Sequence, residues 1–182
     1  MALRENTGTT GIVDTLRRAV EVLADHDIPH LVVGGIAVQE HGYHRVTLGV
    51  DLVVPDILEA VEFLTADLSG PFERMPNCET RVRDRRNGVF IDLLPAGYVL
   101  KDGCKVPFPH PTKVSELPVL ATLPEIISLK LDSWFGSPSR RLKDKADVIE
   151  LIKALDLPRE LPVRPAAKKL YEETWDALQS EK

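Results

Sequence analysis

Cysteine is scarce in this chain. Only Cys78 and Cys104 occur among 182 residues, and they form no metal-like or redox-like cluster. Two separated thiols point to a reducing compartment with both side chains packed or idle, so a disulfide framework is not expected. Long apolar runs are missing too: none approaches the roughly 20 residues of a membrane span, and the N-terminal stretch has no secretory apolar core. A cytoplasmic location without a membrane partner is the expectation. Nor is there a surplus of positive charge. The formal net charge of -5 gives a general nucleic-acid-binding role no bulk electrostatic support, although local basic runs can still meet phosphates. Repeats and low-complexity blocks are absent.

What remains is an ordinary globular composition, 43% hydrophobic and 28% charged, long enough to bury a core without staples. Residues 1–11 are polar and read as a flexible N-terminus. Ile12, Leu16, Ala19, Val20 and Leu23 recur on one face of a helix ending near His26. A short strand follows from His30 to Val33, with an apolar run suited to burial on both faces. Gly34-Gly35 turns the chain into a helix through about His41, with Gly42 available beyond its end. A second strand runs from Arg45 to Val54. Asp56 is placed to cap a helix through Leu68 whose inward face includes Leu58, Val61 and Leu64.

Glu79–Asp84 and Val89–Leu94 read as strands joined around Arg86-Asn87-Gly88, a strong hairpin signal. Residues 96–121 are a mixed run with a turn at Lys101-Asp102-Gly103. Helical period returns in Leu123–Trp134, Lys143–Leu155 and Ala166–Leu178. The reading is an α/β (α+β) fold: an α/β core over residues 12–118 with a small mixed sheet flanked by helices, then a helical C-terminal part over 119–182.

The chemistry gathers around the second strand. Side chains at 49 and 51 share a face because strand period is two. A carboxylate pair there would converge on one point and hold magnesium with nucleotide phosphates, but position 49 is glycine. Asp92 is a lone acid in the apolar strand Val89–Leu94, costly to bury without a partner or metal. If its strand lies beside that of Asp51, the two acids share a site.

Gly34-Gly35, a spacer to position 49, Val50 and Asp51 together resemble the signature of the DNA polymerase β-like nucleotidyltransferase superfamily, a Gly-Gly or Gly-Ser pair followed by Asp-x-Asp. His41-Gly42-Tyr43-His44-Arg45-Val46-Thr47 resembles the His-Gly-x-x-Arg-x-Thr version of small bacterial members, including abortive-infection and toxin–antitoxin nucleotidyltransferases of the AbiEii kind. Asp92 matches the third acid. Leu123–Leu131, then Arg141-Leu142-Lys143-Asp144 and Asp147, is similar to the helical segment of that family, and the resemblance spans residues 12–155.

The resemblance implies Mg2+-dependent transfer of a nucleoside monophosphate from an NTP to a hydroxyl of RNA, protein or a small molecule, within a toxin–antitoxin or phage-defence setting that would add a cognate toxin or antitoxin as partner. It assigns Gly34 and Gly35 to the triphosphate, Asp51 and Asp92 to a two-ion metal site and catalysis, and Lys130 to a phosphate. Arg45 and Thr47 are assigned to bracing the site. Gly49 departs from the pattern where the first aspartate stands. Losing one strong electrostatic element of a transition state costs roughly 10²–10³ in rate, taking an oxyanion-hole donor as yardstick. A degenerate family member that binds nucleotide or a protein partner is therefore the alternative reading.

Simpler readings stand beside these. The glycine pair also suits a plain strand-to-helix turn. Asp92 also suits pairing with an arginine, and Lys130 also suits snorkelling to solvent. Asp144 and Asp147, with Lys143, are expected to cap a helix and form surface pairs. His41 and His44 lack the further ligands a zinc site needs. The run Arg81–Arg86 suits a basic strand edge touching RNA or nucleotide, although an edge strand guarded by charge is the expectation. Arg140, Arg141, Lys143 and Lys145 read as a solvated patch, and Trp134 and Trp175 as helix-packing residues.

Overall fold

A computed structural model describes residues 10–180, so most of the N-terminal stretch read as flexible lies outside the described residues. The chain begins with α1 (Thr10–Asp25), which starts two residues before the predicted Ile12, and enters β1 (Leu31–Val33). Then come α2 (Gly34–Glu40), β2 (Gly49–Val54) and α3 (Ile57–Leu64), followed by β3 (Phe72–Met75), β4 (Cys78–Asp84) and β5 (Phe90–Pro95). Three helices complete it: α4 (Leu123–Gly136), α5 (Leu142–Leu155) and α6 (Pro165–Ser180).

The strands form one mixed sheet in the order β1-β2-β5-β4-β3. β2 and β5 run parallel, and every other pair is antiparallel. Strand alternation divides the sheet into two apolar faces. Val50, Leu52, Val54, Ile91 and Leu93 pack with α1 and α3 in one core. Leu31, Val33 and Val53 pack with α2, α4, α5 and α6 in the other. The α/β class with flanking helices is therefore the observed architecture, and the C-terminal helices cover the face that carries Gly49, Asp51 and Asp92.

Several local readings hold. The Asp56 side chain accepts a hydrogen bond from the Glu59 N–H at 3.1 Å and caps α3. Gly42 follows α2 with φ +120°, a backbone that favours glycine. The β4–β5 hairpin turns through Asn87 and Gly88 as expected. At α4, the Glu125 carboxylate accepts from both the N–H and the hydroxyl of Thr122, at 2.9 and 2.8 Å.

Other readings are corrected. β2 begins at Gly49 rather than Arg45, and residues 43–48 form an irregular loop. α3 stops at Leu64 rather than Leu68, where the Thr65 hydroxyl bonds back to the Val61 carbonyl at 2.7 Å. Leu58 faces solvent, and Ala60 joins Val61 and Leu64 on the inward face.

The strand of Arg81–Asp84 is not an edge, because β3 pairs outside it. Its charges have specific partners. Arg83 and Arg85 each approach Glu73 of β3 at 3.4 Å. Asp84 is fully buried against α1, accepting from the Thr15 hydroxyl at 2.7 Å and pairing with Arg18. Burial would raise the Asp84 pKa, but hydrogen bonds from Arg18, the Arg86 N–H and Thr15 hold it below the ordinary carboxylate value.

The mixed run 96–121 is tied down by α4. Asp132, nearly buried, accepts from the N–H groups of Lys105 and Val106 at 2.9–3.0 Å. Both cysteines are free, Cys104 buried and Cys78 partly so. Trp175 is partly buried and donates its indole N–H to the Leu157 carbonyl at 2.9 Å. Among the described residues no helix is long and apolar enough to cross a membrane.

Candidate nucleotide site

Register brings the two predicted acids together. In the parallel β2–β5 pair, Asp51 stands directly beside Asp92, and Gly49 lies two residues before Asp51 on the same face. β1 delivers the chain to Gly34 next to Asp51, since Val33 pairs with Asp51 across β1–β2. Gly34 has φ +66°, and a β-carbon there would overlap the Asp51 carboxylate. At Gly35 a β-carbon would overlap the Thr47 hydroxyl and lie 3.2 Å from Arg45 Nη1. Both glycines are therefore required by close approach, beyond the needs of an ordinary turn.

A second cluster forms where the loop at 43–48 meets the C-terminal helices. Arg45 forks onto Asp147 of α5, Nε donating to Oδ1 at 2.6 Å and Nη2 to Oδ2 at 2.8 Å. Lys130 of α4 donates to Asp144 at 2.6 Å and pairs with Asp147 at 2.9 Å. The Ser133 hydroxyl donates to the other Asp144 oxygen at 2.8 Å. Two cations and two carboxylates thus neutralise one another in a mostly buried knot, with the Asp147 side chain only 1% exposed and Arg45 12%.

Asp144 and Asp147 are thus not surface pairs. Their i,i+3 spacing in Lys-Asp-x-x-Asp sets them on one helix face, and the neighbouring apolar Val148 and Leu151 turn that face inward. That spacing, followed by inward apolar residues, is the sequence signal for a buried pair. Lys130 is held by carboxylates and does not snorkel outward.

Arg81, absent from the predicted site, joins it from β4. It stands opposite Asp92 in the β4–β5 register and forks onto it, Nε to Oδ1 at 2.5 Å and Nη2 to Oδ2 at 3.0 Å. The Phe90 ring lies 5.3 Å from its guanidinium carbon. Asp51 has no such partner. Burial, then the Asp92 charge, push its pKa above the ordinary value, while the Lys130 charge and the Gly35 N–H pull the other way.

These groups line a cavity of about 530 Å³, within the size range of small-molecule sites. Leu100, Phe108 and Leu129 supply an apolar wall, and the exposed Arg141 and Lys143 stand on its rim side. Lys145 of the same basic run instead lies 4.2 Å from the Trp134 ring. His41 is a structural link, its Nε2 bonded to the Ala121 carbonyl at 2.8 Å.

The two-ion magnesium centre implied by the family resemblance was tested against this donor set. It needs a carboxylate where Gly49 stands, and both oxygens of Asp92 are engaged by Arg81. Among the described residues no three acidic, histidine or cysteine side chains gather as a metal cluster. The residues present do not fit that centre.

The five-stranded mixed sheet with flanking helices matches the fold of solved nucleotidyltransferase-like structures. It is shared with the antibiotic-resistance factor ANT(2'')-Ia in solution, at TM-score 0.52 and 12% identity over 96% of each chain. The same factor in complex with adenylyl-2''-tobramycin aligns with TM-score 0.51 and 14% identity, covering 95% of this chain and 99% of that one. An antigenic nucleotidyltransferase-like protein from Paracoccidioides brasiliensis aligns with TM-score 0.56 and 19% identity, covering 93% and 89%. No family model and no curated protein matches the sequence.

Proposed function

We propose that this chain binds a nucleoside triphosphate in the cavity between the sheet and α4–α5. The observation that carries the reading is the close approach of Gly34 and Gly35 to Asp51 and Thr47, beside a cavity rich in cationic side chains. The triphosphate is assigned to the glycine turn, whose N–H groups suit anions, with Arg141 and Lys143 at the rim. Arg45, Asp147, Lys130 and Asp144 brace the loop that carries Thr47. Lys130 therefore moves from a free phosphate ligand to a positioning residue that turns to phosphate only by giving up a carboxylate.

A thermal-shift panel of the four NTPs, with and without magnesium, tests this. A nucleotide at a hundred times its Kd adds about 2.7 kcal/mol, or roughly 5–11 °C at this chain length. No shift with any NTP in either condition would refute the site.

Transfer of a nucleoside monophosphate to a hydroxyl of RNA, protein or a small molecule is the second reading. It is favoured by the adjacency of Asp51 and Asp92, which leaves two of three family acids in register. The neighbour ANT(2'')-Ia, seen with adenylyl-2''-tobramycin, supports this class of chemistry. A toxin–antitoxin setting rests on the motif resemblance alone.

Gly49→Asp tests the second reading. A β-carbon at 49 meets the Phe90 carbonyl oxygen at 3.0 Å, so the strand must give by a few tenths of an ångström. Magnesium is expected to strengthen NTP binding of this variant several-fold while leaving that of the unaltered chain unchanged. Unchanged binding in a folded variant would count against this site as a metal centre in waiting.

A further inference from the structure

The nucleotidyltransferase pattern puts divalent cations against the strand acids, and this chain sets an arginine against one of them, Asp92. We propose that Arg81 is the site's permanent cation, so that the cavity binds nucleotide phosphates without a divalent metal. The inference rests on the nucleotide reading above and specifies its electrostatics.

Arg81 enters from β4 opposite Asp92, and Asp92 stands beside Asp51, so the guanidinium lies at the acid pair itself. Its fork to Asp92 uses two of the five N–H donors of a guanidinium that stays charged at any physiological pH. Three donors remain, and the side chain is 42% exposed and lines the cavity. Arginine suits phosphate because its planar donors match the oxygens in pairs.

A metal at the same place would have to break the Arg81–Asp92 fork. It would gain no ligand from Gly49 and would strand a cation beside it. The cavity's wider charge agrees. With Arg45 and Lys130 matched by Asp144 and Asp147, Arg81, Arg141 and Lys143 line it against Asp51 and Asp92, a small positive surplus before any ion is added.

The test is a calorimetric titration of each NTP into the full chain, once in EDTA and once in excess magnesium. The Kd of the nucleotide that binds is expected to agree between the two conditions within about threefold. Arg81→Met should weaken binding in EDTA by at least about tenfold, as expected for losing charge-assisted bonds. It should also make binding magnesium-sensitive, because Asp92 is released.

Wild-type binding that appears only with magnesium would overturn this inference and leave the nucleotide reading standing, as would undiminished binding of a folded Arg81→Met variant in EDTA. Absence of binding in both conditions would overturn the nucleotide reading and this one with it. Titration of the unaltered chain with Mn2+ alone, followed by electron paramagnetic resonance, supplies a check independent of any variant. No bound ion is expected, and a tight Mn2+ site at the acid pair would overturn the assignment.

Discussion

Arg45→Ala should cost this protein far more than an average surface substitution. Asp147, 1% exposed, takes both its strong hydrogen bonds from the Arg45 fork, and its remaining partner Lys130 is shared with Asp144. Removing Arg45 leaves one lysine between two mostly buried carboxylates. Breaking a buried pair from one side costs about 3–5 kcal/mol because the survivor stays charged and desolvated. At roughly 2–4 °C per kcal/mol for this size, Tm should fall by about 6–20 °C.

Urea unfolding followed by circular dichroism measures the free energy directly. The double variant Arg45→Met, Asp147→Leu provides the control, since replacing both partners by apolar groups of similar size is often neutral or better. It should recover at least about 2 kcal/mol relative to Arg45→Ala. A loss below about 1 kcal/mol for Arg45→Ala, or a double variant no better than the single, would refute the buried-knot argument. Nucleotide binding should weaken too, because Arg45 fixes the loop that presses Thr47 against Gly35.

Three further outcomes follow from the same geometry. Gly34→Ala places a β-carbon on the Asp51 carboxylate at φ +66°, so a loss beyond the roughly 1–2 kcal/mol of a left-handed non-glycine residue, together with loss of NTP-induced stabilisation, is expected in a thermal melt. Asp51→Asn should raise stability at pH 7 by on the order of 1 kcal/mol, which is roughly 2–4 °C in Tm at this size. The folded pKa of Asp51 is raised, so its penalty is absent below the unfolded value near 4, grows as pH rises from there to the folded value and is constant above it; a gain persisting unchanged at pH 3 would contradict this. Asp84 works in the opposite sense: its folded pKa is depressed, so its contribution is present above about pH 4 and is lost as pH falls through the folded value. Asp84→Asn should therefore lower stability at pH 7 and flatten the acid limb of an unfolding-versus-pH curve.

Local signals carried most of the elements, and non-local pairing carried what was missed. The Asp56 cap, the Asn87-Gly88 hairpin and the helix periods are written in neighbouring residues. β3 was overlooked because it is four residues long and half polar, Phe72-Glu73-Arg74-Met75, and gains its place only by pairing with β4. Val46 and Leu48 alternate like strand residues, yet they are 73% and 82% exposed, since the Arg45–Asp147 fork holds that loop away from the sheet. The adjacency of Asp51 and Asp92 was inferred on condition that their strands pair, and they do. That Arg81 lands on Asp92 depends on the β4–β5 register, which no local pattern states.

The distribution of charge shows where stability and function separate in this molecule. Arg45, Lys130, Asp144 and Asp147 neutralise one another, and Arg81 neutralises Asp92. Among the described residues Asp51 alone in this region is left without a paired cation, with burial and the Asp92 charge both opposing its ionisation. A carboxylate in that position does nothing for the fold that asparagine would not do better. It also crowds the one place where Gly34 must be glycine. With glycine rather than an acid at position 49, no third carboxylate adds repulsion at a site that has no metal donor set to absorb it. On the proposed nucleotide reading, Arg81 supplies from within the chain the positive charge that the acid pair would need beside a phosphate.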